Sequence, residues 1–131
     1  TVAQLERLDP GEIVVLGGTG AVSADVETAL EAYGTVTRVA GANRYATAAA
    51  VAEAYPTVDG LYIASGQNWP DALAGAARAG SEDVPMLLVR TDSVPGVTWS
   101  SLERLEPGRI TVLGGPVAVS EEVVEQLRTL E

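Results

Sequence analysis

The chain repeats part of its own sequence at a constant spacing of 97 residues. The segment IVVLGGTGAVS at residues 13–23 returns as ITVLGGPVAVS at residues 110–120. Self-similarity at a fixed period indicates that the structural unit is the repeat. We therefore expect one α/β module over residues 1–131, in which residues 1–34 are the tail of a preceding repeat and residues 35–131 form one full repeat. The repeat also predicts that the natural protein is longer than this sequence.

Short apolar segments alternate with segments of helical length along the whole chain. The predicted strands are residues 13–16, 36–40, 61–64, 86–89 and 110–113, and the predicted helices are residues 2–8, 24–33, 44–55, 72–79, 97–105 and a last helix capped by Ser120. Nearly uniform apolar strands between helices are typical of a parallel sheet that is covered on both faces. We predict a three-layer, open, mainly parallel five-stranded sheet of the Rossmann/flavodoxin-like or Toprim-like kind. The strand order cannot be read from the sequence.

The residue inventory restricts the chemistry. The chain has no Cys and no His, and all of its cations are Arg. It therefore lacks a thiol or imidazole nucleophile, a Schiff-base lysine, and the thiolate or imidazole ligands of a zinc site. A glycosidase needs two carboxylates across a cleft, and only Asp71 is an acid on a strand-end loop with apolar neighbours. The sequence thus predicts a protein that is not an enzyme and that uses no cofactor and no metal.

The formal net charge of −10 at pH 7 limits the partners. A nucleic-acid-binding surface needs clustered cations, so this balance argues against nucleic acid. No apolar run approaches the roughly 20 residues that a membrane-spanning helix needs, so we expect no membrane insertion.

Two glycine turns stand between a strand and a helix. Gly18-Thr19-Gly20 is similar to part of a dinucleotide-binding fingerprint, but the repeated copy reads Gly115-Pro116-Val117 and lacks the second glycine of that pattern. Both copies keep a glycine pair and Ala-Val-Ser, which a sharp turn and a helix cap require. We favour a structural turn, and a nucleotide or anion site stays as an alternative.

Polar side chains follow several of the predicted strands, namely Arg44, Ser65, Asn68, Trp69, Asp71 and Arg90. The carboxyl ends of parallel strands share one edge of the sheet, where ligands usually bind. Asn68 and Trp69 on one loop could bond the hydroxyl groups of a sugar and stack on its ring. The structural alternative is that Asp71 caps its helix or pairs with Arg44, and that Trp69 fills the core.

Four motifs carry a family resemblance. They are RVAGANRYATAAAVA from Arg38, IASGQNWPDALAGAARAG, PMLLV, and ITVLGGPVAVSEEVVEQL. In this order they resemble the cell wall-binding repeat 2 family (CWB2). The residues that match the family's motifs are Arg38, Gly41, Arg44, Tyr45, Thr47, Asp71, Ala72, Leu73, Pro85, Met86, Leu87, Leu88, Gly114 and Gly115. Met86 stands where the family usually has Ile.

The resemblance implies a secreted protein of the cell wall or cell surface, such as a surface-layer protein. Modules of this family occur in tandem, often three together, and attach a neighbouring domain to the wall through anionic secondary wall polymers. An apolar strand motif is more suited to sustaining the module than to touching a glycan. We therefore assign ligand contact to Arg44, Asn68, Trp69 and Arg90.

Two other functions stay open. In the first, the repeat packs against copies of itself, with a homotrimer as the predicted assembly. In the second, the chain is a nucleotide-binding α/β domain. The acidic balance fits poorly with an anionic ligand, unless the arginines gather on one face, a cation bridges, or the ligand is a neutral glycan.

Overall fold

The computed structural model describes residues 1–130, and in that part of the chain helices and strands alternate throughout. The elements are α1 (Val2–Leu8), β1 (Glu12–Leu16), α2 (Ala24–Leu30), β2 (Thr35–Val39), α3 (Arg44–Ala52), β3 (Leu61–Ser65), α4 (Trp69–Glu82), β4 (Met86–Val89), α5 (Gly96–Leu105), β5 (Ile110–Val112) and α6 (Glu121–Arg128). The α/β class with parallel strands is confirmed. None of the described helices is long and apolar enough to span a membrane.

The strands form two parallel sheets rather than one. β1 pairs with β2 from Glu12↔Thr35 to Leu16↔Val39, and the second sheet has the order β4-β3-β5. The expectation of one continuous five-stranded sheet therefore needs this correction. The reason lies in the connection, because α3 leaves β2 and packs against β4 and α5 of the second sheet.

The three-stranded sheet is the central layer of a three-layer unit. Ile63, Leu87 and Val89 project from one face of this sheet and are fully buried. They join the core with Leu102 and Leu105 of α5, Val123 and Leu127 of α6, and Ala52 of α3. Alternation along each strand turns Tyr62 and Met86 to the other face.

Helix α4 covers that other face and approaches it closely. A Cβ atom on Gly75 would lie 2.0 Å from Leu113 Cδ1 and 3.0 Å from the terminal methyl carbon of Met86. The absence of a side chain at Gly75 therefore lets the helix backbone reach the sheet. This approach fixes the start of α4, which carries Trp69, beside the carboxyl ends of the strands.

Helix boundaries differ from the predicted ones where local signals were weak. α4 begins at Trp69 rather than Ala72, because proline is compatible with the first turn of a helix and Pro70 occupies it. Gly80 does not stop this helix, which continues to Glu82 and ends on Asp83 at φ 53°. α3 ends at Ala52, three residues before the predicted end at Tyr55.

The two-stranded sheet is less covered than the three-stranded sheet. Helices α1 and α2 contain no buried residue. Val14 and Leu16 of β1 are 50% and 54% exposed. An ion pair holds the sheet to α2, since Arg38 of β2 bonds Glu27 at 2.8 Å and also donates to the carbonyl of Gly17.

Candidate functional site

A polar cleft opens at the carboxyl ends of β2, β3 and β4. Its volume is about 550 Å³. We call it the arginine cleft, and its lining residues are Asn43, Arg44, Tyr45, Gln67 and Arg90. Each of them follows a strand of a parallel sheet, which is why residues distant in sequence meet at one edge.

A second cleft of about 450 Å³ lies at the opposite edge of the sheet. That second cleft is lined by Thr57, Val58, Asp59, Glu106 and Gly108, and its two carboxylates make it a poor place for an anion.

Arg44 is held at the start of α3. The side chain of Asn43 caps this helix, because its Oδ1 accepts the N–H groups of Tyr45 and Ala46 at 3.0 and 3.1 Å. Arg44 donates from Nη1 to the carbonyl of Gly66, and its guanidinium lies 5.1 Å from the centre of the Trp69 ring. The stacking leaves other N–H groups of the guanidinium available for a ligand.

Arg90 approaches the same cleft from the end of β4. Its guanidinium lies 5.8 Å from the centre of the Tyr45 ring. The next residue, Thr91, donates its backbone N–H to Oε1 of Gln67 at 2.9 Å, which ties the loop after β4 to the loop after β3. The two arginines are thus placed by separate strands and converge on one wall.

The turn after β3 is shaped to admit the Tyr45 ring. Ser65 is fully buried, and its Oγ accepts the N–H groups of Gln67 and Asn68, both at 3.2 Å. A Cβ atom on Gly66 would lie 2.6 Å from Cε1 of Tyr45. Glycine at this position is therefore required by contact with the aromatic ring.

We expect Gly66→Ala to destabilise the protein by about 1–3 kcal/mol, because the added methyl group overpacks the Tyr45 ring. Denaturant unfolding followed by circular dichroism measures this loss. Gly80→Ala is the matched control, since nothing lies within 4 Å of a Cβ atom there and Gly80 is in a helix. A loss as large in the control as in Gly66→Ala would contradict the packing argument.

The arginine cleft is locally positive on an acidic protein. None of its lining residues is an acid, whereas two are arginines. Within residues 1–130 the ion pairs are Arg38–Glu27, Arg78–Glu82 and Arg128–Glu125. Neither Arg44 nor Arg90 belongs to these pairs, so both bring an uncompensated charge to the cleft.

A second opening adjoins the arginine cleft and lies between the two sheets. Its volume is 620 Å³, and it shares Asn43 and Arg44 with the arginine cleft. The rest of its wall consists of Leu16, Gly17, Gly18, Gly20, Ala21, Gly41, Ala42, Thr47 and Trp69. Residues that follow β1, β2 and β3 thus contribute to one continuous surface.

The structure brings together three of the four predicted ligand residues, Arg44, Trp69 and Arg90. Asn68 lies beside them as the N-cap residue of α4 and is exposed, but it does not line either opening. Trp69 is 51% exposed, so the interpretation that it fills the core is wrong. Asp71 lies in the first turn of α4, and within the described residues it forms no ion pair with Arg44.

Sequence reasoning missed three parts of the wall, namely Asn43, Tyr45 and Gln67. Gln67 stands between Gly66 and Asn68 on the loop that was singled out, so its position alone could have indicated it. Tyr45 was taken only as a motif residue, although an aromatic ring directly after Arg44 is a ready stacking surface for a second cation.

The other motif residues serve packing and turns. Thr47 accepts the N–H of Gly41 through Oγ1 at 3.1 Å, and Ala72 is buried whereas Leu73 is 70% exposed. Pro85, Leu87 and Val89 are buried along β4, and Met86 and Leu88 are partly buried. The carbonyl of Leu88 accepts Oγ1–H of Thr98 at 2.7 Å.

The glycine turns have the same backbone in both copies. Gly17 and Gly114 have φ angles of 104° and 98°, a region that residues with a side chain rarely adopt. Ser23 and Ser120 then cap α2 and α6 in the same way. This agreement supports the structural interpretation of the turns. Within residues 1–130, no group of three or more acidic side chains is placed to hold a metal ion.

The fold and the motifs together define a family. Residues 38–124 match the family described as Cell wall binding domain 2 (CWB2), which covers more than half of the chain. The chain therefore belongs to the CWB2 family. By the description of this family, the chain is a cell wall binding domain and is located at the cell wall, as the motifs predicted.

Two relatives come from Bacillus subtilis. The chain is 30% identical over 128 residues to an "Amidase enhancer", covering 98% of this chain and 17% of that protein. It is also 30% identical over 128 residues to "N-acetylmuramoyl-L-alanine amidase LytC", covering 97% of this chain and 26% of that protein. The chain thus spans about a quarter or less of these relatives.

Two solved structures from Clostridium difficile are similar. Cwp6 has a TM-score of 0.80 and 29% identity, with 98% of this chain and 21% of that chain covered. Cwp8 has a TM-score of 0.77 and 25% identity, with 95% of this chain and 21% of that chain covered. Their coverage of this chain includes both of its sheets.

Proposed function

We propose that this chain is a non-catalytic wall-binding module that anchors a secreted protein through an anionic secondary wall polymer. The polymer binds in the arginine cleft, where Arg44 and Arg90 meet its acidic groups, and continues into the adjoining opening, where Trp69 stacks on its sugar rings. The observation that carries this proposal is the convergence of two arginines on one open cleft, with no ion pair to a carboxylate among residues 1–130.

The chemistry of the cleft supports an anionic glycan. Arginine presents its donors in a planar fork that matches phosphate and carboxylate groups, and stacking on Trp69 and Tyr45 orients both forks in advance. Trp69 offers an exposed ring beside them. A polymer that repeats sugar and acid along its length can use both kinds of contact.

The net charge of −10 does not prevent such binding. Charges farther away than the Debye length, roughly 10 Å at 0.1 M ionic strength, are largely screened by salt. The local field of the arginine cleft then decides the contact. The acidic remainder of the surface opposes binding more strongly at low ionic strength.

A pull-down on purified walls tests the proposed function. We expect the chain to be retained on intact walls and lost from walls whose secondary polymer has been extracted. EDTA is present throughout, so that a bridging divalent cation cannot account for retention. Equal retention on extracted and intact walls would contradict a secondary-polymer ligand.

Ionic strength gives an independent prediction for the same site. Raising the salt from 0.1 to 1 M shortens the Debye length to roughly 3 Å, and we expect wall binding to weaken by about tenfold or more. A binding isotherm on intact walls at each salt concentration measures this change. Affinity that is unchanged across this range would contradict an anionic ligand and favour a neutral glycan.

Assembly is the second candidate function, and one observation favours it. Trp69 and Leu73 lie one helical turn apart on α4 and are 51% and 70% exposed. We infer that other copies of this chain cover this surface, with a homotrimer as the expected state. Light scattering at high concentration distinguishes this function, because a monomer at every concentration would contradict it.

A further inference from the structure

The two copies of the repeated segment have the same residues in very different surroundings. Leu105 is fully buried, whereas Leu8, the residue 97 positions earlier, is 60% exposed. Val123 is fully buried, whereas its counterpart Val26 is 48% exposed. The side chains are identical, so the difference comes from what covers them.

The structure shows what covers the second copy. β5 pairs with β3 in parallel, with Leu61↔Ile110, Tyr62↔Thr111 and Ile63↔Val112. Leu105 and Val123 belong to the core that also contains Leu61 and Ile63 of β3. On the other face, Leu113 lies against Gly75 of α4.

The first copy lacks these partners on the corresponding edge. β1, the counterpart of β5, pairs with β2 on one side. β5 pairs with β3, whereas within the described residues no strand pairs with β1 at the corresponding edge. Four large apolar side chains are exposed near this edge, namely Val14 and Leu16 on one face of β1 and Leu8 and Val26 toward the other face.

We propose that the surface formed by Leu8, Val14, Leu16 and Val26 is a docking surface for β3 and α4 of another repeat of this sequence. In that arrangement β3 of the other repeat lies beside β1 with Tyr62 opposite Val14, which is the register seen at β5. Helix α4 of the other repeat then packs on Leu16. The result is a four-stranded parallel sheet with the order β4-β3-β1-β2, shared between two repeats.

A second copy of residues 35–97 provides the docking partner for a test. Thr1 is the counterpart of Thr98, so residues 35–97 placed directly before Thr1 continue the repeat without a break. The added segment contains β3 and α4 but has no β5 of its own. The only counterpart of β5 next to it is β1, which makes the proposed pairing the expected one.

Thiol labelling reads the docking directly, since the natural chain contains no Cys. We expect Val26→Cys to react rapidly in the 131-residue chain and on the order of 100-fold more slowly in the extended chain, because the site must open locally before it reacts. Val117→Cys, at a site that is 89% exposed, is the reactive control in both chains. Val123→Cys, at a fully buried site, is the protected control and reports that the original repeat is folded.

A cross-link gives the second measurement. In the extended chain, Val14→Cys and Tyr62→Cys of the added repeat should form a disulfide on mild oxidation, detected by gel mobility. The pair Val14→Cys with Ala64→Cys of the added repeat is out of register and should cross-link at least about tenfold more slowly. Unchanged labelling at Val26→Cys, equal cross-linking of the two pairs, or exposure of Val123→Cys through unfolding of the extended chain would each overturn the proposal.

Discussion

The double variant Arg44→Ala/Arg90→Ala is expected to lose wall binding by roughly 100-fold or more while remaining folded. Each arginine offers charge-assisted hydrogen bonds, and such bonds contribute about 1.5–3 kcal/mol each. The side chains lie on an open cleft and form none of the described ion pairs, so their removal leaves no buried acid without a partner. A binding isotherm on intact walls measures the loss.

The control keeps the charge change and moves it away from the cleft. Arg7→Ala/Arg128→Ala also removes two positive charges, and both residues are exposed, on α1 and α6. We expect this variant to bind within a fewfold of the natural chain, since exposed ion pairs contribute little and the cleft is intact. Equal losses in the two double variants would mean that total charge, not the arginine cleft, governs binding.

The largest effect on stability is expected from Leu105→Ala, at about 2–5 kcal/mol. Leu105 is fully buried in the core of the three-stranded sheet, and truncation leaves a cavity among Leu102, Ile63 and their neighbours. Urea unfolding, followed by far-ultraviolet circular dichroism, gives the change in the free energy of unfolding.

Leu8→Ala is the matched control, because the same substitution falls on the counterpart residue in the first copy. Leu8 is 60% exposed, and we expect a change within about 0.5 kcal/mol. Comparable losses for Leu8→Ala and Leu105→Ala would show that the first copy is packed as tightly as the second. That result would remove the basis for the docking surface on α1, β1 and α2.

Much of the fold is readable from the sequence because its signals are local. β4 was predicted at residues 86–89 and lies there, since Pro85 precedes the strand and Arg90 follows it. Ser23 and Ser120 were predicted as helix caps, and their side chains accept backbone N–H groups as expected. Caps and strand ends depend on a few neighbouring residues, which the sequence contains.

The division into two sheets depends on contacts between distant residues, so alternation of strands and helices did not reveal it. One signal was available. β1 and β5 are counterparts in the repeat, and two counterparts cannot both take the one place beside β3. The extension of α4 to Trp69 and Glu82 was missed for another reason, since the helix was predicted over residues 72–79 only. Pro70 is compatible with the first turn of the helix, and packing against the sheet outweighs the low helix propensity of Gly80.

The candidate site was only partly predictable. Strand ends indicated Arg44, Trp69 and Arg90, because parallel strands bring their carboxyl ends to one edge. The stacking of Arg90 on Tyr45 required the packing of α3 against β4, which sets the start of α3 beside the end of β4. Neither this packing nor the exposure of Trp69 follows from the sequence pattern alone.

The most direct measurement is a nuclear magnetic resonance titration of the chain with isolated secondary wall polymer. We predict saturable shifts of the backbone amides of Tyr45, Gln67 and Thr91 and of the indole N–H of Trp69. The amides of Asp59 and Glu106, at the opposite edge of the sheet, should not move. Shifts centred on that opposite edge, or no shift at the arginine cleft when the polymer saturates the chain, would contradict the account.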